Sequence, residues 1–366
     1  KSHDVTIRRS YTKQRVWNRL PGCTYGPSVE GTPRCNGNPN GGDEAFVLYQ
    51  SSQSLVENSI AENHGSGFQA HGGTTFDGLP GGHENKFLGD IALNEDTGVF
   101  IDARSNGNAA DNSMKDFVAI DTALGIGLES ARNASIEHAT LFRNPPPYGG
   151  LNAHQYEPCS TNGCSFTAVN VLSTQNAGAG IAAYNQDAWS VDYSNAFANS
   201  PEYDPYDPSK ITNSLSIDPH LGSCKVWIPD ASPMKRAGKN GTDIGANVLY
   251  RYENGVLTTQ PLWDPVTGRF PCGAIIPGVN DVPGQSCVDV HQRLNVNTNG
   301  CPFPAGYGGT LRGDLNRDGK RDLADVRLLI YMLIGQRAKT PEADLTGDGA
   351  VTLADLQALI RLMVGL

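Results

Sequence analysis

Two stretches of this 366-residue chain carry oxygen donors at matching intervals. The first, Asp314 to Asp325, reads DLNRDGKRDLAD, and the second, Asp344 to Asp355, reads DLTGDGAVTLAD. A calcium ion takes roughly six to eight oxygen ligands, and a twelve-residue loop supplies them from positions 1, 3, 5, 7 (through its carbonyl), 9 and 12. On that spacing the first loop offers Asp314, Asn316, Asp318, the Lys320 carbonyl, Asp322 and Asp325. The second offers Asp344, Thr346, Asp348, the Ala350 carbonyl, Thr352 and Asp355. Gly319 and Gly349 stand at the sixth position, where the sharp turn calls for a positive φ. The expected cofactor is Ca2+, one ion per loop. Thr346 stands where a carboxylate or amide would bind more strongly, so the second site is expected to be the weaker.

A looser group lies far upstream. His64, His71, His83 and Glu84 fall within twenty-one residues in glycine-rich text, followed by Asp102 and Arg104. A polysaccharide lyase needs a base for the proton α to a uronate carboxylate and a cation to neutralise that carboxylate. A polysaccharide hydrolase instead needs carboxylates facing one another in a groove. In the lyase assignment His71 is the proton acceptor and Arg104 holds the substrate carboxylate. His83 is a further base and Asp102 a calcium-capable acid. Asp121, Glu129, Glu137 and His138 follow on later text. The bland alternative is that these are solvated turn residues or members of a stacked Asn/Asp ladder. No nucleophile constellation, phosphate loop or nucleotide fingerprint is present.

The elements that must position these groups differ between the two regions. Each acidic loop runs into an amphipathic stretch, Val326–Gly335 and Leu356–Gly365, with apolar residues at helical spacing and a closing glycine. The upstream body instead repeats a short alternating run, an Asn or Asp, a glycine-containing turn and another short apolar run. Val56–Phe68 aligns with Phe87–Val99 at an offset of 31, placing Ile60 on Ile91, Ala61 on Ala92 and Gly67 on Gly98. Short strands turning at Asn and Gly every 20 to 30 residues or so describe a β-solenoid whose coils bury their faces only against neighbours. Ile60 and Ile91 are expected to stack inward. An ordinary β-sandwich is the rival architecture. The proline-rich segments 144–150 and 200–210 are expected to be loops beside the coils, their Tyr148, Tyr203 and Tyr206 packing over the solenoid or stacking on sugar rings.

Two resemblances follow from these residues. Asp218-Pro219, Ser232-Pro233, Ala237-Gly238 and Asp243–Ala246 resemble the closing coils of right-handed parallel β-helix proteins of the pectate-lyase-like group. That resemblance implies a right-handed parallel β-helix and an activity on acidic polysaccharides, as lyase or hydrolase, or else binding or fibre formation. The Asn-Thr-Asp, Asp-Asp and Gly-His-Gly pattern of the pectin hydrolases and the Arg-x-Pro-x-x-Arg of the pectate lyases are both absent. The duplicated loop–helix unit at 313–366 resembles a type I dockerin, which implies calcium-dependent folding and docking to a cohesin-like module. Positions 10 and 11 of the loops, where dockerins commonly select partners, are Leu323-Ala324 and Leu353-Ala354. Their apolar character also permits docking onto another copy of this chain.

Composition bounds the remainder. The net charge of −10 belongs to the body, because residues 311–366 hold eight basic and eight acidic side chains. An acidic body argues against nucleic acid and anionic membranes as partners, and no stretch is apolar enough for a membrane helix. Gly 42 and Pro 23 suit a turn-rich β architecture. Eight cysteines, at 23, 35, 159, 164, 224, 272, 287 and 301, lack zinc-type pairing and suggest disulfides. Cys23–Cys35 and Cys159–Cys164 are the nearest pairs; the other four pair in any of three ways, or all eight are reduced thiols in a cytosolic protein. The expectation is therefore a secreted, mainly β chain: a parallel β-helix over 1–309 and a small α-helical dockerin-like domain with two calcium loops over 310–366. Its expected function is a carbohydrate-active or carbohydrate-binding module with a calcium-dependent connector. The alternative is a non-catalytic structural protein that self-assembles into filaments, an expectation that also draws on the chain opening in mid-strand at Val5 and Ile7.

Overall fold

The computed structural model describes residues 4–13, 44–62, 64–72, 82–103, 109–146, 148–154, 163–205, 207–225, 227–247, 249–263, 270, 294, 313–316, 321–340, 343–346 and 348–364. Three all-parallel sheets run the length of the body. Sheet I has eight strands, from Thr6–Arg8 to Ile211–Thr212; sheet II has seven, from Tyr11–Lys13 to Asn195–Phe197; sheet III has seven, from Glu44–Tyr49 to Tyr203–Pro205. Within each sheet, neighbours in space are every third strand in sequence, so the chain visits the three sheets in turn and each circuit is one coil of a parallel β-helix. The offset of 31 is real: Ile60 pairs with Ile91 and Ala61 with Ala92.

Short strands suffice because each strand inside a sheet is paired on both sides and each coil buries its inward residues on the next. The interior holds Val56, Phe68, Phe87, Val99, Met114 and Phe117 with their equivalents in other coils. Phe68 packs edge-on against Phe117 with ring centroids 5.7 Å apart. Coils turn at residues held at positive φ, among them Asn58, Asp116, His138 and Asn170 between sheets I and II. Asn and Asp tolerate that conformation because their side chains bond the local backbone. Between sheets II and III, the buried Thr122, Asn144 and Asn176 and the half-buried Asn199 form a ladder; the Asn144 amide donates to Asn176 Oδ1 at 2.9 Å, and the Asn176 amide donates to Asn199 Oδ1 at 3.0 Å.

Two expectations need correction. Ile60 and Ile91 do stack on parallel strands, but outside the coil: Ala61 and Ala92 face the interior. Gly67 and Gly98 make that inward side narrow, since a Cβ on Gly98 would lie 3.0 Å from Ala119 Cβ and 3.4 Å from Ala92 Cβ. The outward isoleucines are buried by chain that returns over sheet II, with Trp227, Ile228, Met234, Ile244, Leu262 and Trp263 as its apolar cover. Apolar identity marked burial correctly and its side wrongly. The segment 200–210 also contains a strand, Tyr203–Pro205, paired to Ile181–Tyr184. Proline is tolerated there because the strand is the last described one of sheet III and needs no donor on its far side. Tyr203 packs against the core and its hydroxyl donates to the Leu215 carbonyl at 2.8 Å, so it is not a sugar platform. Tyr206 lies outside the described residues, and Tyr148 is exposed.

The returning segment follows the turn ladder in order. Asn170 Oδ1 accepts from the Lys239 amide at 2.8 Å, His138 Nδ1 lies 3.2 Å from the Gly245 carbonyl, and Asp116 Oδ1 accepts from the Asn247 amide at 2.8 Å. Asn58 then bonds both backbone groups of Tyr252. The antiparallel hairpin Tyr250–Glu253 and Val256–Pro261 completes this cover, and its tip meets Glu57 through the Gly255 amide at 2.9 Å. The Asp-Ile-Gly-Ala stretch is thus part of the strap over the coils.

Candidate calcium loops and candidate glycan face

The acidic loops are built twice on one plan. Helix α1 spans Leu323–Leu333 and helix α2 spans Leu353–Val364. Asp322 caps α1, accepting from the Ala324 amide at 2.7 Å, while Asp325 answers from within the first turn by accepting from the Asp322 amide at 2.9 Å. This reciprocal capping box fixes where the helix starts. The other oxygen of Asp325 reaches the loop's beginning, accepting from the Leu315 and Asn316 amides at 2.7 and 3.0 Å. Thirty residues on, Asp355 accepts from Thr352 and Thr346 amides at 2.7 and 2.9 Å. Leu329, Met332, Leu345, Val351 and Leu359 form a small core between the units.

Asp314, Asp325 and Asp355 are buried at 3%, 0% and 0% exposure. Burial opposes ionisation of Asp355, but the amides of Thr352, Thr346 and Leu345 and the Thr346 hydroxyl outweigh it and hold the carboxyl below its usual range. These are oxygen-only donor sets, which suits a hard cation. Asp344 accepts from the Gly349 amide at 2.7 Å, and Gly349 has φ +86°, as its sixth position requires. Among the described residues no three His, Cys, Asp or Glu side chains are drawn together at metal-holding distance. Asp318 and Lys320 lie outside the described residues; Asn316, Thr346, Asp348, Ala350 and Thr352 lie within them.

In the body, one pair from the upstream group meets. His71 and Asp102 are aligned on adjacent strands of sheet III, and His71 Nδ1 lies 3.0 Å from Asp102 Oδ2. Tyr49 stacks on the His71 ring, centroids 4.8 Å apart and planes within 11°. The same row continues through Glu129, His154 and Tyr184, each aligned with the last. Alternation places the row outward, because its neighbours Ala70, Ile101, Leu128, Ala153 and Ala183 are in the core. Asp102 and Glu129 are each 3% exposed. Tyr184 donates to Asp204, and burial together with that carboxylate raises the phenol to about 12.

His83 is not on this row. It precedes the sheet I strand Lys86–Leu88, with Nδ1 4.0 Å from Glu84 Oε2. Arg104 lies outside the described residues. His64 belongs to another corner, donating its amide to Glu95, with its Nε2 3.1 Å from Thr12 Oγ1. Asp121 pairs with exposed Arg143 at 2.6 Å, Glu137 pairs with Lys115 at 3.0 Å, and His138 holds the strap. Sequence reading missed the partnership of Asp102 with Glu129, His154 and Tyr184. The coil length is 31 residues between His71 and Asp102 and changes at every later coil, so no fixed period points to them.

Residues 312–363 match the family of the dockerin type I domain. No curated protein and no solved structure matches the chain. A dockerin binds calcium and implies a cohesin partner, and dockerin-bearing proteins are typically extracellular. No helix among the described residues is long and apolar enough to cross a membrane. The chain therefore carries a type I dockerin domain at residues 312–363, preceded by a parallel β-helix.

Proposed function

We propose that this chain is an extracellular carbohydrate-active or carbohydrate-binding module, attached to a cohesin-like partner through its dockerin domain with two calcium ions. The division is a β-helix body over 1–309 and a connector over 310–366. The observation that carries the carbohydrate reading is the outward row on sheet III, where His71, held by Asp102 and faced by Tyr49, adjoins a second buried carboxylate. A base oriented by an acid next to an aromatic ring is what proton abstraction or transfer on a sugar requires. Export is supported by Cys164 and Cys224, both buried and neither of them a free thiol.

The test is incubation with uronate and neutral polymers, following unsaturated product for a lyase and reducing ends for a hydrolase. His71→Ala should abolish whichever activity is found while the melting temperature stays nearly unchanged, and Arg104→Ala tests the lyase assignment in the same assay. Full activity in His71→Ala removes the row as the site.

A second reading is a structural protein that assembles end to end. Its support is that Thr6–Arg8, Tyr11–Lys13 and Glu44–Tyr49 are each the last described strand at one edge of their sheets, and a parallel edge is a template for another chain. Filaments in negative stain together with silence in every sugar assay would favour it.

A further inference from the structure

The returning strap is bound to the corner between sheets I and II at successive coils, by Asn170, His138, Asp116 and Asn58. At Gly89 the missing side chain makes room for the Tyr252 ring, which a Cβ would approach to 3.0 Å. One described corner lies beyond Asn58, and Arg9 occupies it. Its amide donates to the Glu57 carbonyl at 3.0 Å, and its φ of +49° is close to the +56° of Asn58. The hairpin strand Tyr250–Glu253 lies against this end of the corner, since Asn58 holds both backbone groups of Tyr252. Arg9 has no comparable bond. Its Nε is buried without a hydrogen-bond partner, and among the described residues no carboxylate is ion-paired with its guanidinium. The neighbouring charges are already matched: Arg8 pairs with Glu57 at 2.9 Å, and Arg251 pairs with Glu253 at 2.9 Å and donates to Gln260. Arg9 is left as a half-buried surplus cation. Burial and then the Arg251 charge lower its pKa, with Glu253 opposing them.

We propose that Arg9 is the centre of an oxyanion-binding site between the first described coil and the strap hairpin, taking one carboxylate or sulfate group, with Arg251 as the second cation. A guanidinium donor removed from water without an acceptor is costly, and an incoming acceptor removes that cost. Its nitrogens form a planar fork that matches two oxygens of one carboxylate or sulfate. Partial desolvation makes the attraction stronger there than in water. The bound anion supplies the missing rung, tying Arg9 to the hairpin as Asn58 ties Tyr252. The site stands on the corner between sheets I and II and does not rest on the glycan reading of sheet III. A free oxyanion and the acidic group of a saccharide offer Arg9 the same chemistry, and the experiment separates them.

Full-length, calcium-loaded protein is titrated calorimetrically with sulfate and with trigalacturonate, at about 0.1 M chloride to screen the net negative charge. Each probe should saturate at one per chain. Arg9→Asn, chosen because Asn suits a positive φ, should weaken both by roughly tenfold or more, as should Arg9→Lys, which keeps the charge and loses the fork. Arg143→Gln, on the exposed pair with Asp121, should bind as the parent does. Trigalacturonate bound roughly tenfold tighter than sulfate marks a saccharide carboxylate as the occupant, equal affinities mark a free oxyanion, and either result upholds the site. Where the Arg9 variants fail to fold, the parent protein is treated with phenylglyoxal and mapped by mass spectrometry, and saturating sulfate should protect Arg9. No saturable uptake of either probe up to about 10 mM, undiminished uptake by Arg9→Asn, or Arg9 left unprotected by sulfate overturns the inference.

Discussion

The hydroxyl of Tyr252 donates to Asp116 Oδ2 at 2.5 Å, joining residues 136 positions apart. It pins the hairpin of the returning strap to a turn of the fourth described coil. Burial raises the Asp116 carboxyl, and the Tyr252 hydroxyl and Asn247 amide partly offset that by favouring the anion. The phenol in turn is raised, by burial first and then by Asp116. Tyr252→Phe leaves a buried carboxylate short of one donor, which costs about 1–3 kcal/mol. The measurement is thermal or denaturant unfolding, with Asp116→Asn and the double variant completing a cycle. Additive single effects would show that the bond does not hold the strap.

Asp90 gives the body a specific pH response. It is fully buried, Oδ1 accepts from the Ser59 amide at 2.7 Å, and Oδ2 has no partner. Burial pushes this carboxyl well above its ordinary range, with nearby Glu57 adding to the rise and the Ser59 and Leu88 amides opposing it. A carboxyl whose folded pKa is raised stabilises the fold fully below the unfolded-state value and loses that contribution as pH rises through the folded value. Asp90→Asn keeps the acceptor and removes the proton. The melting temperature of the variant relative to the parent should therefore climb with pH from the acid range through neutrality. A flat difference would mean that Asp90 ionises without cost in the fold.

How much of this was legible in the sequence depends on what fixed each feature. The solenoid was, because Ile60/Ile91 and Gly67/Gly98 repeat at one interval and stacking enforces it. Inside and outside were not, because the strap buries the outer isoleucines as completely as the coil buries the alanines. Alternation alone cannot say which face a later segment will cover. The duplicated acidic loop–helix unit was legible, since loop spacing is local chemistry and the dockerin match falls on it. The sheet III row was legible only at His71 and Asp102, because drifting coil length hides alignments that only the fold creates.

Glycines on the inner corner of sheet III are a packing requirement. Gly67, Gly98, Gly125, Gly150 and Gly180 stack coil on coil, and a Cβ on Gly98 would lie 2.5 Å from the Gly125 carbonyl oxygen. The obstacle is backbone of the next coil and cannot rotate away. Gly98→Ala should destabilise the body by more than about 3 kcal/mol, above the ~1–3 usual for overpacking against side chains. Gly241→Ala is the control: its φ is +72° with open space around the missing Cβ, so it should cost only about 1–2 kcal/mol of backbone strain. Equal losses at the two positions would refute the close-packing account.

The two loops should differ in strength. Full-length protein stripped with chelator should take up two calcium ions per chain by calorimetry, and Asp344→Ala should remove one of them while Asp314→Ala removes the other. Asp325 and Asp355 each tie a loop to the first turn of its helix, so Asp325→Ala and Asp355→Ala should lose both the ion and the local helix. Binding supplies folding free energy to units whose buried carboxylates, like Asp355, sit among loop amides and hydroxyls. Thr346 is an exposed hydroxyl 3.0 Å from Asp355 Oδ1. Thr346→Asp adds a charged ligand and should tighten the second site roughly tenfold, about 1.4 kcal/mol. The first site should be unmoved by that change, because its donors all come from the other loop. Absence of uptake at about millimolar calcium, the weak end for extracellular modules, would remove the calcium assignment from these loops; equal affinities before and after Thr346→Asp would remove Thr346 from the ligand set.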